Sequence, residues 1–155
     1  MNDKLKSQKL FVAGSIVVIL AVVILLLSLY FNKSGTDRVL ILGKDTSSIT
    51  TYTLETVTTA DQQSQGLSDR SSLGAQSGML FSYDQTAERC MWMKDMRFNI
   101  DIIWLDDHQK ITQIEANLSP SSYPKVFCAN GRYVIELPSG SAAKHQLKVG
   151  QSVNL

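Results

Sequence analysis

The sequence predicts a mainly β domain, a compact antiparallel barrel or sandwich with two short helices, preceded by one transmembrane helix. Three observations support this fold class. Short runs rich in β-branched and aromatic residues follow one another, with turn residues between them. No long helical pattern separates these runs, as parallel strands would require. A long uncharged stretch lies near the N-terminus. The chain has 155 residues, which allows one such domain and an anchor but hardly two domains.

The uncharged stretch over residues 10–31 predicts a membrane anchor. A helix of that length spans roughly 30 Å, the thickness of a bilayer core. The alternative is a cleaved signal peptide, whose apolar core is about 7–15 residues long and is followed by small residues. Here the run is longer and ends in Tyr30 and Phe31, which are typical of a membrane interface. We therefore favour an uncleaved anchor.

The charges beside the anchor predict its orientation. Lys4, Lys6 and Lys9 precede it, whereas Lys33 and Arg38 follow it. This bias favours a cytoplasmic N-terminus and an extracytoplasmic C-terminal domain at the cell membrane. The predicted organisation is a cytoplasmic segment over residues 1–9, the anchor over 10–31, a linker over 32–37 and an exported domain over 38–155.

The elements of the exported domain follow from periodicity and turn residues. Strands are predicted over residues 38–43, 49–58, 79–83, 90–93, 99–105, 111–118 and 133–137, with a last short strand within 148–155. Polar connections are predicted over residues 68–78, 84–88, 94–97, 106–108 and 119–125. One helix begins after Thr59, because Thr59 and Gln62 form a capping box, and ends at Gly66. A second helix is predicted over 141–147, capped by Ser139 or Ser141.

The charge balance and the two cysteines limit which partners, cross-links and cofactors the sequence predicts. The chain carries 15 basic and 14 acidic side chains without a basic stripe, so nucleic acid is not an expected partner. Cys90 and Cys128 both lie in the exported part, where an oxidising compartment permits a disulfide. We favour this disulfide over the alternatives, which are two buried free thiols or one reactive thiol. No CxxC motif or Cys/His cluster predicts a metal, and no cofactor is predicted.

Several short motifs in a fixed order resemble the domain-of-unknown-function 192 family of bacteria and archaea. The family pattern runs GLM-x-R, GMLF, FWMKNT, PLD and YVLE, followed shortly by a glycine. The matching segments are Gly66-Leu67 with Arg70, Gly78 to Phe81, Trp92 to Asp95, Ile100 to Ile102, and Tyr133 to Leu137 with Gly140. This chain departs from the pattern at Ser68, 95–96 and 99–100. The resemblance covers residues 49–153 and implies a compact, mostly β fold, frequently with an export signal or anchor. It implies no reaction.

Two carboxylates in apolar strands are the strongest candidates for function. Burying the carboxylates of Asp101 and Glu136 costs free energy unless they are paired or hydrogen-bonded. One interpretation is structural, with basic side chains or loop N–H groups as partners. The basic candidates are Lys94, Arg97 and Arg70. A second interpretation is a catalytic carboxylate pair. A third is a ligand site with Trp92 as its apolar platform.

Other conspicuous residues have simpler interpretations. We predict that Trp104 lies in the core, and that Met79, Met91, Met93 and Met96 fill it. His108 and His145 are predicted to be exposed.

The first functional hypothesis is a non-catalytic module of the cell envelope that binds a small molecule, such as a saccharide, or serves as an accessory domain. Its candidate ligand-binding residues are Trp92, Lys94, Asp101, Glu136 and Arg70. The alternatives are an envelope hydrolase that uses Asp101 and Glu136, and a protein–protein interaction module.

Overall fold

The computed structural model describes residues 19–24, 37–42 and 50–155. The chain divides into two units, Met1–Gly35 and Thr36–Leu155. In the first unit, residues 19–24 are helical, and the rest of the predicted anchor over 10–31 lies outside the described residues. Within the described part, we find no helix with the length and apolar character needed to cross a membrane.

The second unit is built on one six-stranded sheet with the order β1-β2-β3-β6-β4-β5. Its strands are β1 (Arg38–Leu42), β2 (Thr50–Val57), β3 (Ser77–Trp92), β4 (Ile100–Leu105), β5 (Ile111–Leu118) and β6 (Val126–Pro138). The helices are α1 (Ala60–Gln65), α2 (Ser141–Lys144) and a short 3-10 helix over Pro120–Ser122. The mainly β class predicted from the sequence is therefore confirmed, with a third short helix.

The arrangement of the strands corrects two expectations. The six described strands form an open sheet with β1 and β5 at its edges, so the sheet is not closed into a barrel. The strand β2 pairs with β3 in parallel, whereas all other pairs are antiparallel. Parallel neighbours need a crossover connection. Here α1 and the loop that follows it supply that connection, although the helix is too short for its pattern to predict this role.

The strands β3 and β6 are longer than predicted. Residues 84–88, predicted as a polar connection, continue β3 beyond a register shift between Ser82 and Ala87. Beyond that shift, residues 87–92 pair with 126–131 as a two-stranded extension that we call the distal ribbon. The side chains at 84–86 and 88 are exposed, which explains why a strand there has a polar sequence.

Both faces of the sheet are covered. On the face that we call the cleft face, Met79, Ile102, Trp104 and Val134 join one apolar cluster. The opposite face carries a second cluster, which includes Leu54, Leu80, Ile103, Ile135 and Leu137. Because β4 lies between two covered faces, all six of its residues are buried. Each fully buried Leu, Ile or Met side chain contributes roughly 1.5–3 kcal/mol.

Different parts of the chain cover the two faces. Leu67, Met93 and Met96 pack on the cleft face together with the distal ribbon. Leu147, Val153 and Leu155 pack on the opposite face. The C-terminal segment therefore belongs to the core.

Gly78 is required where three strands meet. A Cβ atom there would lie 2.7 Å from the carbonyl oxygen of Glu136 and 2.6 Å from the Leu54 side chain. Any larger residue would separate β3 from its neighbours.

Candidate functional site

A cleft of about 250 Å³ opens on the cleft face. One wall is α1 with the turn that follows it, and the other wall is the end of β3. The floor carries Phe81 and Glu136, and Met96 contributes from the bend after β3. The lining residues are Ala60, Gln63, Ser64, Gln65, Gly66, Leu67, Ser68, Phe81, Tyr83, Cys90, Met91, Trp92, Met96 and Glu136.

Local sequence signals place the helical wall. The Thr59 hydroxyl accepts a hydrogen bond from Gln62 N at 3.3 Å, and the Gln62 side chain accepts one from Thr59 N, so the predicted capping box is confirmed. Gly66 ends the helix with φ 49° and ψ −130°, a conformation open to glycine alone. Leu67 is buried directly after it. This order of residues anchors the turn on the sheet.

The side chain of Gln63 fastens α1 to the sheet. Its Nε2 donates to the carbonyl oxygen of Ser82 at 3.1 Å and to that of Val57 at 3.4 Å. These two carbonyls belong to neighbouring strands, so one amide holds the wall across the β2–β3 pair.

A disulfide holds the second wall. Cys90 and Cys128 are directly opposite each other in the β3–β6 register, and they are bonded, as the sequence predicted. Met91 points inward and is buried, whereas Trp92 is 40% exposed at the rim. The indole Nε1 of Trp104 donates to Arg89 O at 2.8 Å. The distal ribbon is therefore tied to the cleft face by a core tryptophan.

Glu136 is the unusual residue of the floor. It lies in register between Met79 and Ile102, and it is 4% exposed. Its Oε2 atom has no hydrogen-bond partner among the described residues. Burial raises the pKa of Glu136 to about 8, and the nearby positive charge of Arg70 opposes this rise only in part. At neutral pH, Glu136 is therefore a neutral carboxylic acid.

Arg70 lies outside the cleft lining. Its guanidinium forms an ion pair with Glu55 at 2.8 Å, and each side chain is 39% exposed. Glu55 is in register with Met79, which is in register with Glu136. Arg70 thus lies near the row that contains Glu136, but its close carboxylate partner is Glu55.

Asp101 is not part of the cleft. It is fully buried in β4 and is in register with Leu137, so its side chain lies on the opposite face from that of Glu136. Its carboxylate accepts three backbone N–H bonds, from Asn117 at 2.8 Å, Gly140 at 3.2 Å and Ala142 at 2.8 Å. Backbone N–H groups therefore pair with Asp101, although only that of Gly140 lies in a loop, and the other two lie in β5 and α2.

This arrangement also corrects the expected cap of α2. The N-cap residue is Gly140, without a side-chain cap of its own. The Ser139 hydroxyl bonds to Asn117 instead, and that of Ser141 bonds to Pro138 O. The Asp101 carboxylate of β4 accepts the N–H bonds at the start of α2 that a serine hydroxyl was predicted to accept.

The bend over residues 94–97 is docked on the turn after α1. Ser68 Oγ donates to Lys94 O at 2.9 Å, and Asp69 N donates to Asp95 O at 2.9 Å. The Lys94 side chain is exposed and does not line the cleft. Two of the motifs that the sequence resemblance rests on therefore meet at one end of the cleft.

Of the five predicted ligand-binding residues, the structure brings Trp92 and Glu136 to the cleft, and it leaves Arg70, Lys94 and Asp101 outside. Sequence reasoning missed Phe81 and Tyr83 as lining residues, and it assigned Met91 and Met96 to the core alone. Both methionines are buried, and they line the cleft as well. The capping box and the terminating Gly66 were the signals for the helical wall. In the described ranges, no group of three or more His, Cys, Asp or Glu side chains could hold a metal ion.

The fold and the cleft define a β protein built on one open sheet, with a cleft of mixed polar and apolar lining over a single buried carboxylic acid. A family model described as DUF192, "Uncharacterized ACR", matches residues 41–155. The chain therefore belongs to the domain-of-unknown-function 192 family.

Two solved structures share the fold. A protein from Sinorhizobium meliloti 1021, provisionally assigned as a transcription regulator, is 25% identical with a TM-score of 0.68 over 76% of this chain and 92% of its own. A protein of unknown function from Novosphingobium aromaticivorans DSM 12444 is 24% identical with a TM-score of 0.68, over 79% and 95% respectively. No curated protein shows a significant match.

Proposed function

We propose that this protein is a non-catalytic module that binds a small ligand in the cleft and is held at the outer side of the cell membrane by an anchor over residues 10–31. The observation that carries the binding proposal is Glu136 Oε2, which is buried at the cleft without a partner among the described residues. Leaving a buried polar atom unpaired costs about 1–3 kcal/mol. A ligand that pairs with it recovers this free energy.

The shape of the cleft supports a small ligand. Sites for drug-sized molecules are about 300–1,000 Å³ in volume and are mostly apolar, with a few polar groups that orient the ligand. This cleft, at about 250 Å³, is slightly smaller, and its lining is mixed: apolar and aromatic side chains lie beside Gln63, Ser64, Gln65, Ser68 and Glu136. A ligand of monosaccharide size or below fits these dimensions.

The placement of the two carboxylates favours binding over hydrolysis. Glycosidase-type chemistry requires two carboxyl groups roughly 5–10 Å apart on either side of one bond. The side chains of Asp101 and Glu136 lie on opposite faces of the sheet, and Asp101 is already occupied by three N–H groups. We therefore do not propose the hydrolase.

The disulfide supports the proposed location. Disulfides persist in oxidising compartments and are rare in the cytosol. Both cysteines are exposed, so the bond is accessible to cellular reductants. A domain placed outside the membrane would retain it.

A ligand screen with the full-length chain in detergent micelles tests the binding proposal. Fragments that bind should shift the ε-methyl NMR signals of Met91 and Met96. Trp92→Ala should weaken such binding about tenfold or more, since aromatic residues at a binding site commonly dominate recognition. Tyr123→Ala is the matched control, because Tyr123 is 49% exposed and does not line the cleft. A screen without any binder at these methyls, or equal effects of the two variants, would contradict the proposal.

A further inference from the structure

We infer that the ligand of this cleft is an organic ammonium ion that carries a small apolar group. The inference rests on the proposed ligand-binding function and adds the chemical class of the ligand. It follows from the charges that line the cleft, from the rings and sulfurs around them, and from the polar groups that are already engaged.

The residues that line the cleft include one carboxylic acid and no cationic side chain. Among the described residues that line the cleft, Glu136 is the single carboxylic acid, and none is Lys, Arg or His. Two guanidinium groups lie close to the lining residues without being part of the lining, and the Nε atom of Arg89 has no hydrogen-bond partner among the described residues. Arg70 pairs with Glu55 at 2.8 Å, and Arg89 lies over the Tyr83 ring at 3.8 Å from its centroid. An anionic ligand would therefore meet no cationic side chain in the lining.

The walls are suited to a cation with an apolar body. Phe81, Tyr83 and Trp92 are the aromatic residues of the lining, and one face of the Tyr83 ring is already covered by Arg89. Cations are attracted to aromatic faces, by about 0.5–1 kcal/mol at exposed sites and by more where water is excluded. The thioethers of Met91 and Met96 are polarisable and adapt to irregular apolar groups.

Several donors on the helical wall, though not the Ser64 hydroxyl, are already used within the protein. Gln63 Nε2 donates to Ser82 O and Val57 O, and Gln65 Nε2 donates to Ser68 O. The Ser68 hydroxyl donates to Lys94 O. The wall thus has few free donors for a carboxylate or phosphate. An ammonium group supplies its own donors, and Glu136 accepts them.

The ionisation of Glu136 gives this ligand class a distinct signature. Its pKa of about 8 is set by burial. The charged and titratable groups that face it are Arg70 with its partner Glu55, and Tyr83 beside Arg89. Below pH 8, an ammonium ion that binds displaces the proton of Glu136 into solvent. Its affinity should therefore rise by up to about tenfold per pH unit from pH 6 to pH 8.

Three probes of similar size separate the ligand classes: 2-phenylethylammonium, 2-phenylethanol and phenylacetate. Binding to the full-length chain in micelles is measured at pH 6, 7 and 8 by the NMR shifts of the Met91 and Met96 methyls. We expect the ammonium probe to bind at least tenfold more tightly than either of the others at pH 8, and to tighten between pH 6 and pH 8. The alcohol should not tighten over that range.

Glu136→Gln provides the decisive variant, because it keeps the size of the side chain and removes the acid. It should weaken ammonium binding by about tenfold or more and abolish the pH dependence, since a hydrogen bond to a charged group contributes about 1.5–3 kcal/mol. Glu88→Gln is the control for overall charge, because Glu88 is exposed on β3. It should leave binding unchanged. If Glu136→Gln does not fold, the binding of the three probes to the wild type at pH 6, 7 and 8 still tests whether the ligand is an ammonium ion.

The inference is overturned if the alcohol or the carboxylate binds as tightly as the ammonium probe, or if ammonium affinity does not rise with pH. Equal binding by the wild type and Glu136→Gln would overturn it as well. A neutral or anionic probe that shifts the Met91 and Met96 methyls would leave the proposed binding function intact. If no probe and no screened fragment shifts them, both proposals are refuted together.

Discussion

At the scale of the residue, two buried carboxyl groups on neighbouring strands have opposite surroundings. Asp101 is held by three backbone N–H groups, one from β5 and two from the start of α2. Glu136 has an oxygen with no partner in the described structure, and burial raises its pKa to about 8. A charge satisfied in this way stabilises a fold, whereas an unsatisfied acid at a cleft is available to a ligand. The same residue type therefore has a structural role in one strand and a proposed functional role in the next.

The raised pKa of Glu136 predicts how stability depends on pH. The folded state holds this proton up to about pH 8, whereas the unfolded chain releases it near pH 4.5. Unfolding between these values releases a proton, so the contribution of Glu136 to stability falls as pH rises, by up to about 1.4 kcal/mol per pH unit. In urea unfolding at pH 5, 6, 7 and 8, the free energy of unfolding of Glu136→Gln should increase relative to that of the wild type as pH rises. If the difference in free energy of unfolding between the two proteins is the same at every pH, the raised pKa of Glu136 is contradicted.

Substitution of Asp101 should affect folding alone. Asp101→Asn replaces one acceptor oxygen with an NH2 group that faces a backbone N–H donor, and we expect a loss of roughly 2–4 kcal/mol in the free energy of unfolding. Asp106→Asn is the control, because Asp106 accepts two turn N–H bonds through one oxygen at a solvent-exposed site. For Asp106→Asn, the loss in the free energy of unfolding should stay below about 1 kcal/mol. Equal losses in the two variants would refute the buried role of Asp101.

At the scale of the element, the cleft exists because two walls of different construction face each other. The first is a short crossover helix, stopped by Gly66 and fastened by Gln63. The second is the end of a long strand, clamped by a disulfide and tied down by Trp104. Neither wall is stable as an isolated segment. Each depends on the sheet beneath it.

Gly66 should be the most sensitive position of the helical wall. An added Cβ would require an unfavourable backbone conformation and would lie 3.3 Å from Phe81 Cζ on the cleft floor. We expect Gly66→Ala to cost about 1–3 kcal/mol and to weaken ligand binding. Gly150→Ala tests strain alone, because Gly150 has a φ of 89° with no atom within 4 Å of the added Cβ. If Gly150→Ala weakens binding equally, the effect is not local to the cleft.

Removal of the disulfide should loosen the second wall. The Cys90→Ser, Cys128→Ser double variant lacks a bond that closes a loop with a sequence separation of 38. In the chain-entropy model this loop predicts a loss of about 4 kcal/mol. Chemical denaturation of the wild type with and without reductant should show a matching shift, and the variant should not respond to reductant. A wild type that is insensitive to reductant would show that the bond is absent in the cell-derived protein.

At the scale of the whole molecule, the domain is one sheet with both faces covered. The cleft face carries the proposed ligand site, and the opposite face is closed by Leu147, Val153 and Leu155. The network around Asp101 links β4, β5 and the start of α2 on that closed side. One side of the sheet therefore secures the fold, and the other offers the cleft.

The proposed location predicts a defined topology. Alkaline phosphatase fused after residue 155 should be active in a bacterial host, because the enzyme requires an oxidising compartment. The full-length protein should stay in the membrane pellet after carbonate washing, and a variant without residues 10–31 should not. An inactive fusion, or a full-length protein released by carbonate, would refute the anchor and its orientation.

Local signals in the sequence predicted those parts of the fold that local physics determines. The Thr59–Gln62 capping box and the turn over residues 106–108 depend on residues a few positions apart. The strands β2, β4 and β5 lie within one or two residues of their predicted bounds. In the distal ribbon only the strand over residues 90–93 was predicted, because the exposed part of β3 before it has a polar sequence that resembles a loop. The parallel β2–β3 pair was missed, because strand pairing is not a local property.

The site was predicted only in part, for a similar reason. Trp92 and Glu136 stand out by residue type in an apolar context, and both line the cleft. The sequence by itself determined the strands β2, β4 and β5, the cap of α1 and the presence of two carboxylates in apolar strands, since each depends on residue chemistry and short spacing. Only the tertiary structure decided which face each carboxylate occupies. Register sets that choice, because neighbouring positions on a strand point to opposite sides of the sheet.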